Sequence, residues 1–163
     1  MGREIIEVTT FRGHHDDGAP QTAVKSQKGL LLRDNVYGTL DQDAARRDLT
    51  INALYLDPAN KLILDDLDGI EDIRQRLVRI IGDPATRYSE DPVRMLRVVR
   101  FAAKLGFTIE ETSHAAISQC RHLLADIPAA RLFDETLKLF MAGFAAPTIC
   151  LLYTSDAADE VDG

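Results

Sequence analysis

The chain has 163 residues, 45% of them hydrophobic and 28% charged, with no Trp. That length and apolar content support one substantial core, or one domain and part of another, and exclude a low-complexity or disordered chain. The formal net charge of −7 excludes a uniformly basic nucleic-acid binder, so any contact with phosphate must come from a local patch.

Two cysteines, Cys120 and Cys150, make neither a disulfide framework nor a metal site of recognisable spacing, which fits a reducing cytoplasm. No apolar run approaches the ~18 residues of a membrane span, so no membrane partner is expected. The first residues lead into a strand-like stretch rather than a signal sequence.

Residues 4–12 (EIIEVTTFR) are rich in β-branched side chains and read as a strand with Glu7, Thr9 and Phe11 on one face. A strand this early has nothing before it to pair with, so further sequence is expected upstream. Residues 13–29 hold three glycines and a proline without periodicity and read as a long loop. Within it, His14-His15-Asp16-Asp17 is expected to face solvent rather than bind metal.

Residues 41–47 form a short helix with its acids first and its bases last, matching the helix dipole. It delivers Arg46-Arg47-Asp48-Leu49-Thr50-Ile51-Asn52 to a helix-to-strand junction, where arginine capping of the helix end is the plain reading. Residues 53–56 and 61–64 then pair as a hairpin around 57–60, with Pro58 at the second turn position. A turn at 65–69, a helix at 70–76 and a strand at 77–81 ended by Gly82-Asp83-Pro84 complete this half.

The stretch SEDPVRMLRVVRFAAKLG at 89–106 is a helix with Pro92 in its first turn, Ser89 or Asp91 as cap, and Gly106 as a left-handed stop. Arg94, Arg97, Arg100 and Lys104 fall in one arc, and Met95, Leu96, Val99, Ala102 and Ala103 in the other. The arginines have no acidic partner four residues on inside the helix, so the stripe is either a solvated face or one balanced by phosphate.

Asp91 and Arg94 are three residues apart and their side chains can meet. A carboxylate accepts hydrogen bonds and a guanidinium donates them. Side by side they would match the amino-bearing edges of cytosine and adenine rather than those of uracil and guanine. An ordinary capping Asp next to an Arg is the competing account.

Thr108-Ile109-Glu110-Glu111 has capping-box spacing and opens a helix running to about residue 125. A third helix at 129–142 has Pro128 at its start and Gly143 at its end, an Arg131–Glu135 pair, and Leu132, Phe133, Leu137 and Phe140 as its buried side. The pattern changes from mixed to all-helical near residue 84, dividing the chain into domains at 1–83 and 84–149. Residues 150–163 show no helical or strand logic and read as a translated sequencing adaptor joined to a truncated frame, outside fold reasoning.

Three pieces, IEVTTFR at 6–12, RRDLTINAL at 46–54 and EDPVRMLR at 90–97, resemble in order and spacing the bacterial class II nucleotidyltransferases, the family of poly(A) polymerases and tRNA CCA-adding enzymes. EVTTFRGHH and RYSEDPVRMLRVVRFAAKLGF look most like the poly(A) polymerase branch. The resemblance implies an α+β fold, a partial nucleotidyltransferase β-sheet head followed by an all-α neck.

It also implies template-independent addition of AMP from ATP to RNA 3′ ends, with Mg2+ held by acids and pyrophosphate leaving. By the same resemblance Glu7 becomes the third metal-binding acid and a catalytic residue, Arg47 a nucleotide contact, and Asp48 and Asn52 neighbours of the ribose. Asp91 and Arg94 become the base-reading pair, with Arg97 and Arg100 extending the nucleotide or RNA surface.

The departures are specific. The family's glycine-rich phosphate loop and paired Asp-x-Asp ligands precede the third acid, and nothing before Glu7 supplies them, so this fragment is expected to be catalytically inactive. Leu49 stands where Phe is usual, Asp68-Gly69 where two glycines are common, and most of the C-terminal RNA-binding region is absent. The alternatives are a tRNA CCA-adding enzyme and a non-catalytic RNA- or nucleotide-binding helical module. Oligomeric state is not legible.

Overall fold

The structure is a computed structural model that describes residues 8–13, 37–141 and 143–157, the side chains of 152–157 excepted. It divides into two compact units, residues 1–46 and 47–163. Glu7 and the loop residues His14, His15, Asp16 and Asp17 lie outside the described residues.

In the first unit the strand expected at 4–12 is, among the described residues, a single antiparallel bridge between Arg12 and Tyr37. Helix α1 (Leu40–Ala45) starts from a capping box. The Thr39 hydroxyl accepts from the Gln42 N–H at 3.3 Å, and Gln42 Oε1 accepts from the Thr39 N–H at 2.9 Å. The helix stops short of the expected residue 47, with Arg46 at its C-cap and the Arg46 guanidinium on Asp43 at 2.6 Å.

The second unit opens with a 3-10 turn (Thr50–Asn52) and the expected hairpin, β1 (Tyr55–Asp57) against β2 (Leu62–Leu64), with Tyr55 opposite Leu64. Asp57 organises the turn by accepting from the Ala59 and Asn60 N–H groups. Helix α2 (Gly69–Gln75) follows, its start held by Asp65, whose two oxygens accept from the Gly69 and Ile70 N–H groups at 2.8 Å each.

The strand expected at 77–81 is shorter, β3 (Leu77–Val78), and it pairs in parallel with β4 (Thr108–Ile109). Thr108 and Ile109 therefore belong to a strand and not to a helix start. The following helix, α5 (Glu111–Cys120), is capped by Glu110 and continues as a 3-10 segment (Arg121–Asp126).

The largest departure is an unexpected helix, α3 (Pro84–Glu90). Asp83 caps it by accepting from the Thr86 N–H at 2.8 Å, and Pro84 fills the first turn, where its missing N–H costs nothing. Consequently α4 (Val93–Leu105) is not capped by Ser89 or Asp91. Pro92 occupies its N-cap position and Asp91 is the C-cap of α3. The stop is as expected, Gly106 in the left-handed region at φ 65°.

The core of this unit gathers Leu49, Val78 and Ile80 from one side of residue 84 and Tyr88, Met95, Val98, Val99, Ala102, Ile109, Ala116 and Cys120 from the other. Helix α6 (Ala129–Met141) sits against α4 in an unexpected rotation. It buries Glu135 and Leu139, while Phe133 stays 62% exposed and Leu137 and Phe140 are exposed as well. Glu135 and Leu139, four residues apart, share the buried face, and the exposed Arg131 one turn earlier bonds Asp91. Residues 145–157 form α7, with Leu151 against the core, so the expectation of no helical logic fails for 150–157.

Candidate functional site

The joint between α3 and α4 brings two arginines, Arg87 and Arg94, onto one acid, Glu90. Arg94 is 16% exposed at its side chain and is fixed twice through Nη1, to Glu90 Oε2 at 2.7 Å and to the Arg87 carbonyl at 2.8 Å. Glu90 also accepts from Arg87 Nη1 at 3.1 Å. The Arg94 hydrogen bond holds the Glu90 carboxyl below its usual range, with burial opposing and both guanidinium charges assisting. Arg87 is buried, and its Nη2 donates to the Arg47 carbonyl.

The Asp91 carboxylate does not bond to the Arg94 guanidinium. Its Oδ2 accepts from Arg131 Nη2 at 2.7 Å, and its Oδ1 is buried with no hydrogen-bond partner. The expected Arg131–Glu135 pair is replaced as well, since Glu135 Oε1 takes Lys138 Nζ at 2.7 Å. The Asp91–Arg94 contact inferred from i, i+3 spacing thus yields to an arginine from another helix, and the Arg131–Glu135 contact to a lysine three residues along the same helix.

One turn along α4, Arg97 Nε donates to Asp48 Oδ2 at 2.5 Å. Asp48 Oδ1 accepts from the Leu49 N–H at 2.9 Å and from Asn52 Nδ2 at 3.4 Å. Burial alone would raise the Asp48 pKa, but the Arg97 hydrogen bond and charge, with Asn52 and Leu49, hold the carboxyl below its usual value. Arg47 donates to the Tyr55 hydroxyl and to the Asn52 carbonyl, both at 3.0 Å, and lies 5.1 Å over the Tyr55 ring.

The arginine stripe is thus largely balanced by the protein's own acids, Glu90 for Arg94 and Asp48 for Arg97. Only the Lys104 end of the stripe behaves as an open face, for Lys104 is exposed while Arg100 stacks on Phe101 at 4.8 Å with its buried Nε unpartnered.

The structure brings Arg47, Asp48, Asn52 and Arg97 into one bonded corner, and Asp91, Arg94, Glu90 and Arg87 into a second at the helix joint. Sequence reasoning missed Glu90, Arg87, Tyr55 and Arg131. The spacing of Glu90 four residues before Arg94 was a usable signal, whereas nothing local ties Arg131 to residue 91.

Among the described residues no group of three or more His, Cys, Asp or Glu is placed to hold a metal.

A family model described as "Poly A polymerase head domain" matches residues 1–79, and one described as "Probable RNA and SrmB- binding site of polymerase A" matches residues 106–161. Poly(A) polymerase I of Haemophilus influenzae is 54% identical over 153 residues, covering 93% of this chain and 34% of that protein. A CCA-adding enzyme of Lactobacillus helveticus is 37% identical over 163 residues, 98% of this chain and 38% of that one.

Among solved structures, the Bacillus stearothermophilus CCA-adding enzyme in complex with CTP matches with a TM-score of 0.67 at 39% identity, over 72% of this chain and 30% of that chain. The chain spans about a third of the length of the curated relatives it matches. Two family models in order, the shared motifs and the shared fold lead to one conclusion: this chain belongs to the nucleotidyltransferase family of bacterial poly(A) polymerases and CCA-adding enzymes.

Proposed function

We propose that the chain selects and holds the nucleotide in a template-independent RNA nucleotidyltransferase that adds AMP from ATP to RNA 3′ ends in the cytoplasm. Asp91 and Arg94 read the base, Arg47 contacts the nucleotide, Asp48 and Asn52 lie near the ribose, and Arg97 and Arg100 extend the surface toward phosphate or RNA. A head at 1–83 and a neck at 84–149 divide the work. Mg2+, with Glu7 as a ligand, belongs to the same reading of the whole enzyme.

The observation that carries this is the unmet acceptor on Asp91, one helical turn from a guanidinium already fixed in place. A buried acceptor without a donor costs about 1–3 kcal/mol, which the amino group of adenine or cytosine would recover. Arg94, held by Glu90 and a main-chain carbonyl, presents its donors without further ordering. Greater identity to the poly(A) polymerase than to the CCA-adding enzyme, 54% against 37%, favours ATP and varied RNA ends.

The test is titration of the chain with ATP, CTP, GTP and UTP in magnesium buffer. ATP and CTP should bind more tightly than GTP and UTP, and Asp91→Ala should level the four. Equal binding of all four by the unmodified chain overturns the reading in favour of a phosphate-binding module. The CCA-adding alternative, favoured by the CTP complex of the structural relative, predicts addition of C and then A to tRNA. Runs of A on unrelated RNA ends would exclude it.

A further inference from the structure

Resting on the reading of Asp91 and Arg94 as the base-reading pair, we infer that Arg131 is a positioning residue for base selection: it pins one oxygen of Asp91 so that the other is held ready for the base.

The main chain of Asp91 is already fixed. Its N–H donates to the Arg87 carbonyl at 3.3 Å, and its carbonyl accepts from the Arg94 N–H at 3.0 Å. What stays free is rotation of the side chain, and a carboxylate that rotates offers its oxygens in many directions. Arg131 removes that freedom by donating from Nη2 to Oδ2 at 2.7 Å, a short bond between charged partners.

Oδ1 is left buried and without a hydrogen-bond partner. The acid four residues along its own helix, Glu135, bonds Lys138 through Oε1, while Arg131 turns to Asp91. The selectivity of the α3–α4 joint therefore depends on a residue of α6, forty positions away in sequence, that itself need not touch the nucleotide.

The experiment measures the ratio of ATP to GTP affinity and the melting temperature for the 163-residue chain and its variants. Arg131→Ala should lower the ratio about tenfold, the worth of one hydrogen bond to a charged group. Arg131→Lys, which keeps a single charged donor, should restore most of it. Asp91→Ala should lose the same preference, and Arg131→Ala added to it should cost nothing more. Should Arg131→Ala not fold, Arg131→Met keeps the apolar stem and carries the same expectation.

An unchanged ratio in Arg131→Ala or Arg131→Met, alongside a loss in Asp91→Ala, overturns the role of Arg131 and leaves the base-reading pair standing. A lower melting temperature with an unchanged ratio makes the tie purely structural and also overturns it. An Asp91→Ala chain that keeps the full preference overturns the base-reading pair, and the inference with it.

Discussion

Arg97 and Asp48, forty-nine residues apart, meet through a single bond from Nε to Oδ2 at 2.5 Å that fastens α4 to the turn preceding the first 3-10 segment. Only 11% of the Asp48 side chain is exposed, against 36% of Arg97. Removing the cation leaves a nearly buried carboxylate with one amide side chain and one N–H. Arg97→Ala should therefore cost about 2–3 kcal/mol in urea unfolding, the range for a lost hydrogen bond to a charged group. In a double-mutant cycle Asp48→Asn should recover part of the loss, because the unpaired charge is gone. A cost within about 0.5 kcal/mol, as for an ordinary surface change, would mean that the bond is ornamental.

The same pair fixes a pH dependence. Asp48 titrates below its ordinary value of 3.8 because Arg97, Asn52 and the Leu49 N–H outweigh burial. A folded-state pKa lower than the unfolded one stabilises at pH values above 3.8, and that contribution disappears as the pH falls through the lower folded value. Melting temperatures of the unmodified chain and Arg97→Ala should therefore differ most near neutrality and draw together in acid. A gap that widens on acidification would contradict this origin.

Asp68 and Gly69 make a further case. Asp68 adopts the left-handed region at φ 57°, where a side chain costs roughly 1 kcal/mol, so Asp68→Gly should raise the melting temperature slightly. Gly69 is different in kind. A Cβ there would stand 2.5 Å from the Thr50 carbonyl oxygen, which is fixed backbone. Gly69→Ala should lower stability by about 1–3 kcal/mol, the usual cost of overpacking. The two neighbouring substitutions should move the melting temperature in opposite directions.

These outcomes also mark what the sequence made legible. Gly106, the Asp57 turn and the hairpin were readable because each rests on chemistry within a few residues. The start of α3 was readable in principle, since Asp83-Pro84-x-Thr86 is a cap followed by a proline. It was lost because the same Pro also reads as the end of a strand. On α4 the reading found Met95, Val99, Ala102 and Ala103, which are buried, but placed the half-buried Leu96 with them and omitted the buried Val93 and Val98.

The buried face of α6 was out of reach. It packs against α4 and α7, contacts that no local spacing encodes, and apolar periodicity alone put Phe133 inside. The candidate site divides in the same way. Arg47, Asp48 and Asn52 are close in sequence, but their connection to Arg97 depends on tertiary packing that no spacing encodes.

Glu110 offers the sharpest titration. As the cap of α5 it accepts from the Thr112 and Ser113 N–H groups at 3.1 and 2.9 Å and from both hydroxyls at 2.8 Å, with Arg79 at 3.5 Å. Burial would raise its pKa, yet these donors together bring it from 4.5 down to about 2. The capped end is also where Ser113 ties α5 to the rest of the fold. The Ser113 hydroxyl accepts from the Ile80 N–H at 3.2 Å, and its carbonyl accepts from the buried Tyr88 hydroxyl at 3.0 Å. Glu110→Ala should cost about 2 kcal/mol, the upper end for a lost cap. Glu110→Gln should cost less, because its carbonyl oxygen still accepts. Since the folded-state pKa is the lower one, the advantage of Glu over Gln is complete above pH 4.5 and vanishes as the pH falls through about 2. Thermal melts of the two proteins across that interval should converge at its acid end, and parallel curves there would show that the cap bonds do not set the titration.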